Sequence, residues 1–346
     1  MGRGGLSAPR RGAWRGRLLA SGAALLLALL ALEVLARLRF GAPLAERLPI
    51  VLIQADEATG WRMVPSQEHY TYLHHVRVNA LGLRGAEVLQ KAPGERRVLA
   101  LGDSLIYGQG VAEEETVTAH LQAMLEVRAE PGTSWSVVNA GHRAYDTRQE
   151  LALLEDLGAK IEPDVVVLFW FWNDVRERDI PSTCARLTAS GPVTFDTGQA
   201  MEGWPRLRWH LLQLARRSAL VMTAHDLLRA RKAGPVPPEV IDEAMGRLDG
   251  YLARFQELAR AQGFELLFAA VPDANALLQP HPSEDIRARA EAVAAARALA
   301  PCDLLRELAA LVAAEGALPV LPYDGHYTGA ANRALAAGVA RCLDGK

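Results

Sequence analysis

The stretch Val98-Leu-Ala-Leu-Gly-Asp-Ser104 indicates the fold, because it joins a short apolar run to a glycine, a carboxylate and a serine. Four consecutive apolar residues ended by glycine are typical of a strand that is buried on both faces. Such strands belong to parallel sheets, where the ligand site lies beyond the carboxyl ends of the strands. Asp103 and Ser104 are therefore expected at the edge of a sheet where a site forms.

Strands and helices alternate after this stretch. Further strands are predicted at Trp135–Asn139, Val165–Phe171 and Glu265–Val271, and a short apolar run follows at Leu318–Leu321. Helices are predicted at Thr116–Val127, Thr147–Leu157, Pro205–Arg231, Glu239–Gln262, Ser283–Leu299, Cys302–Ala314 and Thr328–Cys342. This alternation predicts a three-layer α/β/α fold with a parallel sheet. Residues 175–262 are too long for a simple crossover and predict a helical insert, in which Pro181–Trp204 is an irregular excursion.

Polar residues follow each apolar run, as the rule for parallel sheets requires. The groups are Gly102-Asp-Ser104, Asn139-Ala-Gly141, Asn173-Asp174 and Asp324-Gly-His326. A serine hydroxyl needs an adjacent base, and an imidazole base needs a carboxylate that fixes its tautomer. Residues two apart in an extended segment point to the same side, so Asp324 can accept a hydrogen bond from His326. We therefore predict Ser104 as nucleophile, His326 as base and Asp324 as its partner.

These four groups resemble, in order, the four sequence blocks of the SGNH/GDSL hydrolase family, from about residue 97 to the C-terminus. The resemblance implies a flavodoxin-like sheet and a serine esterase without cofactor or metal. It also implies an oxyanion hole made by the N–H groups of Ser104 and Gly141 and the side-chain amide of Asn173. Asp103 and Asp174 are interpreted as structural residues that satisfy loop amides, and His142 as a residue lining the site.

The chain departs from the family pattern at two positions. Phe171 stands where the third block usually has a glycine, and the last block reads Asp-x-His rather than Asp-x-x-His. The second departure is also known in membrane-anchored relatives and in the related polysaccharide O-acetyltransferases. The segments Gly60-Trp-Arg62 and Asn79–Gly85 look like the region that precedes the catalytic domain in anchored bacterial members.

The N-terminus combines five arginines with an apolar run. The arginines lie within residues 1–17, and the run extends over Leu18–Ala36, interrupted by Glu33. A cleaved signal peptide and an uncleaved anchor both fit, but no small-residue cleavage pair follows the run. We predict a cytoplasmic tail at 1–17, a transmembrane anchor at 18–36, a lead-in at 40–95 and the hydrolase domain at 96–346, outside the cytoplasm.

The bulk composition excludes several classes of function. A net charge of −2 gives no reason to expect nucleic acid as a partner. The three cysteines, Cys184, Cys302 and Cys342, lack metal-binding spacing, so no metal site is predicted. One disulfide and one free thiol fit an oxidising compartment, and the pairing stays open, as does the oligomeric state.

Three functions fit these observations. The first is an esterase acting on an ester of an envelope lipid or glycan, for example as a deacetylase. The second is an O-acyltransferase that passes the acyl group to an envelope polysaccharide, and the third is an inactive envelope binding protein. The segment Pro205–Lys232 has seven Lys and Arg residues against one acid, Asp226. It fits a solvated helix face or, alternatively, contact with anionic headgroups or glycans.

Overall fold

The computed structural model describes residues 13–195, 203–230, 234–278, 281–316 and 318–344. The helices are, in chain order, α1 (Ala13–Phe40), α2 (Ser104–Tyr107), α3 (Val117–Val127), α4 (Thr147–Ile161), α5 (Ile180–Ser190), α6 (Gly203–Arg216), α7 (Ala219–Ala230), α8 (Pro238–Gln262), α9 (Pro282–Ala296), α10 (Leu305–Glu315) and α11 (Gly329–Asp344). The strands are β1 (Leu52–Asp56), β2 (Gly60–Met63), β3 (Gln67–Thr71), β4 (His74–Val78), β5 (Glu95–Gly102), β6 (Ser134–Gly141), β7 (Val165–Trp170), β8 (Val193–Thr194) and β9 (Glu265–Ala270).

Strands β5, β6, β7 and β9 form a parallel sheet in the spatial order β6-β5-β7-β9. The prediction of a parallel α/β sheet is confirmed. Strand β5 lies between β6 and β7. The chain therefore passes from β5 to its neighbour on one side, β6, and then crosses to the neighbour on the other side, β7, as in flavodoxin-like sheets. The loops after β5 and β7 therefore diverge at this point and leave a crevice, which Ser104 and Asn173 border.

Side chains along each strand alternate between two cores, one on each face of the sheet. Leu99 and Leu101 of β5 pack in a cluster with residues of α4, α8 and α9. Val98 and Ala100 pack on the other side with residues of α3, α10 and α11. Every residue of β7 is buried, which explains its unbroken apolar sequence.

The lead-in forms two small antiparallel sheets. Strand β1 pairs with β2 and with β8 of the insert, and β3 pairs with β4 in a hairpin. Arg84, which follows this hairpin, is fully buried at its side chain and pairs with Glu113. It donates hydrogen bonds to the carbonyls of Tyr107, Gly108 and Val111 at 2.6–3.0 Å. The lead-in is thus attached directly to the segment that carries Ser104.

Three predictions of secondary structure were wrong. The run Leu318–Leu321 is not a strand of the sheet, because Pro319 within it and Pro322 directly after it have no backbone donor. Val320 makes a single antiparallel bridge with Tyr327. The predicted irregular excursion contains α5, which Asp179 caps at the N-terminus. The predicted helix Pro205–Arg231 is divided at Arg217 and Ser218 into α6 and α7.

The two cysteines of the C-terminal part form a disulfide. Cys302, just before α10, is bonded to Cys342 near the end of α11, and Cys184 is free. This resolves the pairing that the sequence leaves open.

Candidate active site

Ser104 is the first residue of α2, and only Asp103 separates it from the end of β5 at Gly102. Asp103 caps this short helix, since its side chain accepts a hydrogen bond from the N–H of Leu105 at 2.8 Å. The strand-to-helix turn raises the serine hydroxyl above the carboxyl edge of the sheet. Asp103 is buried, so its sequence-based interpretation as a structural residue agrees with its contacts.

Ser104, His326 and Asp324 form a continuous hydrogen-bonded chain. The Nε2 atom of His326 lies 2.7 Å from the Oγ atom of Ser104, and the Nδ1 atom of His326 bonds to Oδ1 of Asp324. The same carboxylate oxygen accepts the backbone N–H of His326 at 3.2 Å. The Asp-x-His spacing therefore allows the contact that the sequence predicts. With Nδ1–H donating to Asp324, Nε2 is left to accept the proton of Ser104.

The second oxygen of Asp324 is held by two residues that the sequence analysis did not predict. Its Oδ2 atom accepts hydrogen bonds from the hydroxyl of Tyr72 and from Nε2 of Gln109 at 3.2 Å. Arg143 in turn donates to Oε1 of Gln109 at 2.7 Å. Burial alone would raise the pKa of Asp324, but the hydrogen bonds and charge of His326, with the Tyr72 hydroxyl, lower it to about 2. Asp324 is therefore a carboxylate at neutral pH.

Tyr72 and Gln109 reach Asp324 from distant parts of the chain. Tyr72 lies in the turn of the β3–β4 hairpin, 252 residues before Asp324. Gln109 lies between two glycines in the left-handed region, Gly108 and Gly110. A Cβ on Gly110 would lie 2.5 Å from a methyl of Leu321, so the glycine lets the two loops meet. The Gly-x-Gly pattern is the one sequence signal that marks Gln109.

The three predicted oxyanion donors differ in their availability. The N–H of Ser104 has no hydrogen-bond partner among the described residues. The side-chain amide of Asn173 donates to Oδ2 of Asp103 at 3.0 Å, which leaves its second hydrogen for another acceptor. The N–H of Gly141, by contrast, donates to Oδ1 of Asn139 at 2.9 Å.

Gly141 has a clear packing role. A Cβ there would lie 2.1 Å from the backbone nitrogen of Tyr107, so only glycine lets α2 approach β6 this closely. Three residues further, Ala144 adopts φ +59°, a conformation that is rare outside glycine. Within the described part of the chain, the N–H of Ala144 has no hydrogen-bond partner.

Four buried carboxyl groups lie behind the site: Asp103, Asp146, Glu150 and Asp174. Burial raises the pKa of each, and the neighbouring acids raise the pKa of Glu150 and Asp174 further. Asp174 accepts the hydroxyl of Thr147 at 3.0 Å, and neither oxygen of Glu150 has a hydrogen-bond partner among the described residues. Across the described ranges, no His, Cys, Asp and Glu side chains are grouped to hold a metal ion.

His142 belongs to the core and does not line an open site. It is 1% exposed, stacks on Tyr145 with ring centroids 4.5 Å apart, and bonds through Nδ1 to the carbonyl of Ala140. Burial lowers its pKa to about 4.

The serine hydroxyl is hydrogen-bonded to an imidazole, and the other nitrogen of this imidazole is hydrogen-bonded to a carboxylate. This arrangement, at the switch point of a parallel sheet, is that of a serine hydrolase. The profile of the GDSL-like lipase/acylhydrolase family matches residues 100–341. The chain belongs to this family and is a hydrolase of ester bonds.

Among solved structures, TesA is 20% identical, with 72% of this chain and 99% of that chain covered and a TM-score of 0.44. A lipase/acylhydrolase from Enterococcus faecalis is 16% identical, covering 72% and 96%, with a TM-score of 0.41. The esterase EstA from Pseudoalteromonas sp. is 13% identical, covering 72% and 97%, with a TM-score of 0.41. No curated protein sequence matches the chain significantly.

Proposed function

We propose that the protein is a membrane-anchored serine esterase that forms an acyl-enzyme at Ser104 and acts on an ester of an envelope lipid or glycan. The observation that carries this proposal is the hydrogen-bonded chain from Ser104 through His326 to Asp324. Its order of donors and acceptors is the one that nucleophilic attack by serine requires.

The reaction follows from this geometry in two halves. In the first, Ser104 Oγ attacks the ester carbonyl while Nε2 of His326 takes the hydroxyl proton. The tetrahedral intermediate collapses, and His326 returns the proton to the leaving alcohol, which leaves an acyl ester on Ser104. In the second half, His326 deprotonates a water molecule that attacks this ester. The second tetrahedral intermediate collapses, His326 returns the proton to Oγ of Ser104, and the carboxylic acid is released. Asp324 holds the tautomer and stabilises the imidazolium in both halves.

The developing oxyanion needs donors that are already in position. The free N–H of Ser104 and the second amide hydrogen of Asn173 fit this role. For the third donor we favour the N–H of Ala144 over that of Gly141. The Gly141 N–H would first have to give up its hydrogen bond to Asn139, whereas the Ala144 N–H is free of protein partners in the described residues.

The membrane part of the proposal rests on α1. Trp14–Phe40 is long and apolar enough to cross a membrane, and its leucines are largely exposed. The helix continues without a break past the end of the apolar run to Phe40. The arginines before it favour a cytoplasmic N-terminus, with the hydrolase domain on the other side. We infer an uncleaved anchor at 18–36, followed by the lead-in and the domain at 96–346 with its insert.

Transfer to a sugar hydroxyl is the second candidate, because the same acyl-enzyme serves both reactions and the Asp-x-His form also occurs in acetyltransferase relatives. Full-length protein in detergent should therefore be assayed with p-nitrophenyl acetate, butyrate and palmitate, with and without sugar acceptors. The esterase proposal predicts release of free acid that depends on Ser104, with Ser104→Ala as the control. Acylated sugar as the main product would favour the transferase. No activity that depends on Ser104 would favour a binding protein.

A further inference from the structure

Helix α6 presents an apolar stripe to the outside of the molecule. Trp204, Leu207, Leu211 and Leu214 follow a spacing of three or four residues, which places them on one face of the helix. Their exposed fractions lie between 49% and 70%. The opposite face is buried at Trp209 and Gln213. Proteins that stay in water rarely expose a continuous apolar stripe of this kind, which indicates a binding surface.

The charged side chains of α6 itself are all basic. Arg206, Arg208, Arg216 and Arg217 belong to or directly follow α6, and residues 203–217 contain no acid. Arg216 pairs with Glu46, whereas Arg206 and Arg208 form no ion pair among the residues described. A basic amphipathic helix with Trp and Leu on one face is typical of helices that lie in the surface of an anionic membrane.

The turn between α6 and α7 is attached to α1 close to the end of its apolar run. Glu33 of α1 accepts hydrogen bonds from the hydroxyl of Ser218 and from the N–H groups of Ala219 and Leu220, at 2.7–3.0 Å. Arg37 pairs with Glu33 and donates to the carbonyl of Arg217. These hydrogen bonds offset the free-energy cost of placing the Glu33 carboxylate near the hydrocarbon region.

The length of α1 fixes the depth of this junction. The uncharged residues 18–32 span roughly 22 Å at 1.5 Å per residue. A hydrocarbon core of about 30 Å would extend roughly five residues further, to about Arg37. By the same measure, the junction of Glu33 with Ser218 lies about four residues, or roughly 6 Å, on the acyl-chain side of that boundary. Helix α6 ends at Arg216, directly before this junction, so the C-terminal end of its exposed stripe is next to the membrane surface.

The same junction contacts the catalytic loop. Phe40, at the end of α1, packs edge-on against Tyr323 with ring centroids 6.4 Å apart. The hydroxyl of Tyr323 lies 3.2 Å from that of Thr223 in α7. Tyr323 immediately precedes Asp324, so the anchor and the insert together hold the catalytic loop close to the membrane.

We propose that α6 lies in the headgroup layer of the membrane that α1 crosses, with its apolar stripe among acyl chains and Arg206 and Arg208 at anionic phosphates. The active site is then held at the bilayer surface, where it takes esters from membrane lipids. This inference rests on the proposed anchor and esterase activity.

The depth of α6 is measured on the full-length protein in vesicles of phosphatidylcholine with and without phosphatidylglycerol. In a Cys184→Ser background, an environment-sensitive dye is placed at Leu211→Cys, and in the matched control at Val127→Cys, which is also exposed. Brominated lipids should quench the dye at residue 211 and leave the dye at residue 127 unquenched. Equal quenching at both positions or none at residue 211 would overturn the proposal. Dye quenching at residue 211 that depends on protein density and not on bromine would also overturn it, because a second copy of the chain would then cover this face.

The functional consequence is tested separately. Leu207→Gln, Leu211→Gln and Leu214→Gln combined should lower hydrolysis of a vesicle-embedded ester about tenfold, the loss expected for roughly one buried leucine side chain. Hydrolysis of dissolved p-nitrophenyl acetate should be unchanged. The matched control combines Leu89→Gln, Val127→Gln and Leu278→Gln, which are exposed apolar positions elsewhere. An equal loss in both triple variants would contradict the proposal.

Two further results distinguish the membrane contact of α6 from the proposed esterase activity. Arg206→Gln with Arg208→Gln should remove any advantage of vesicles that contain phosphatidylglycerol, because that advantage comes from the basic side chains. An unchanged advantage would contradict the role of these arginines. If residue 211 is quenched but no hydrolysis depends on Ser104, the membrane surface stands and the esterase proposal fails.

Discussion

Removing the hydroxyl of Tyr72 tests whether the lead-in helps to align the catalytic groups. Tyr72→Phe deletes one of the two side-chain hydrogen bonds to Oδ2 of Asp324 and keeps the aromatic ring. Gln109 remains bonded to the same oxygen at 3.2 Å, and the Asp324 side chain is 10% exposed. Because Tyr72 contacts Asp324 and acts through His326, it is a positioning residue.

The expected size of the effect follows from the type of bond. A hydrogen bond to a charged group contributes about 1.5–3 kcal/mol. If all of this appeared in the reaction barrier, turnover would fall by about 10-fold to 150-fold. Gln109 still holds the oxygen, and water can reach it through the small exposed area. We therefore expect the lower end, about a tenfold loss in kcat with KM nearly unchanged.

The assay is steady-state hydrolysis of p-nitrophenyl acetate by full-length protein in detergent. The matched control is Tyr70→Phe in the same hairpin, because the Tyr70 ring packs against His75 and makes no contact with Asp324. In an Asp324→Asn background, Tyr72→Phe should cost little more, since the two residues act as one unit. A tenfold loss in both backgrounds, or no loss in the wild-type background, would refute this reasoning.

Three other predictions concern the buried groups and the oxyanion site. The raised pKa of Glu150 means that its contribution to stability falls as pH rises from the unfolded value of about 4.3 through the folded value. Glu150→Gln should therefore raise the thermal midpoint at pH 8 and change it little at pH 4, and a lower midpoint at pH 8 would reveal a missed partner. The pKa of His142, lowered to about 4, means that stability is lost as pH falls below about 6.5 toward 4, by at most about 3 kcal/mol. The thermal midpoint of His142→Gln should fall less between pH 7 and pH 5 than that of the wild type, and parallel slopes would argue against this. Replacing the amide N–H of Ala144 by an ester oxygen should lower kcat about 100-fold or more, while the same change at Gly141 should cost less, and the reverse order would restore Gly141 as the donor.

The sequence predicts the central sheet well because the signals there are local. Strand β7 is a continuous apolar run, and the polar residues after β5 and β7 meet because parallel strands end at one edge. The Asp-x-His pair is local too, so its contact follows from backbone geometry. The contact of Tyr72 with Asp324 joins residues 252 apart, and no periodicity or motif marks it. Likewise, the turn that divides Pro205–Arg231 into two helices is bonded to Glu33, a partner 185 residues from Ser218, although Ser218 also caps α7 by accepting the N–H of Val221.

Two local patterns led to wrong expectations, because backbone and packing contacts in the folded chain give these residues a different role. The apolar run Leu318–Leu321 resembles a strand, but Pro319 within it and Pro322 after it cannot donate to a ladder of hydrogen bonds. Gly141 matches a family position for an oxyanion donor, yet here its N–H is bonded to Asn139 and its missing Cβ serves packing against Tyr107. The sequence therefore marks Gly141 as a special position, but its role depends on contacts that form only in the folded chain.

The central claim is that Ser104 becomes acylated with His326 as its base. A fluorophosphonate probe, followed by peptide mass mapping, tests it directly on the full-length protein. We predict a phosphonyl adduct on Ser104 in the wild type, none on Ser104→Ala, and a strongly slowed reaction for His326→Ala. Since the residues act as one unit, the double variant should lose little more activity than either single variant. An adduct on a different serine, or full esterase activity in Ser104→Ala, would contradict the account.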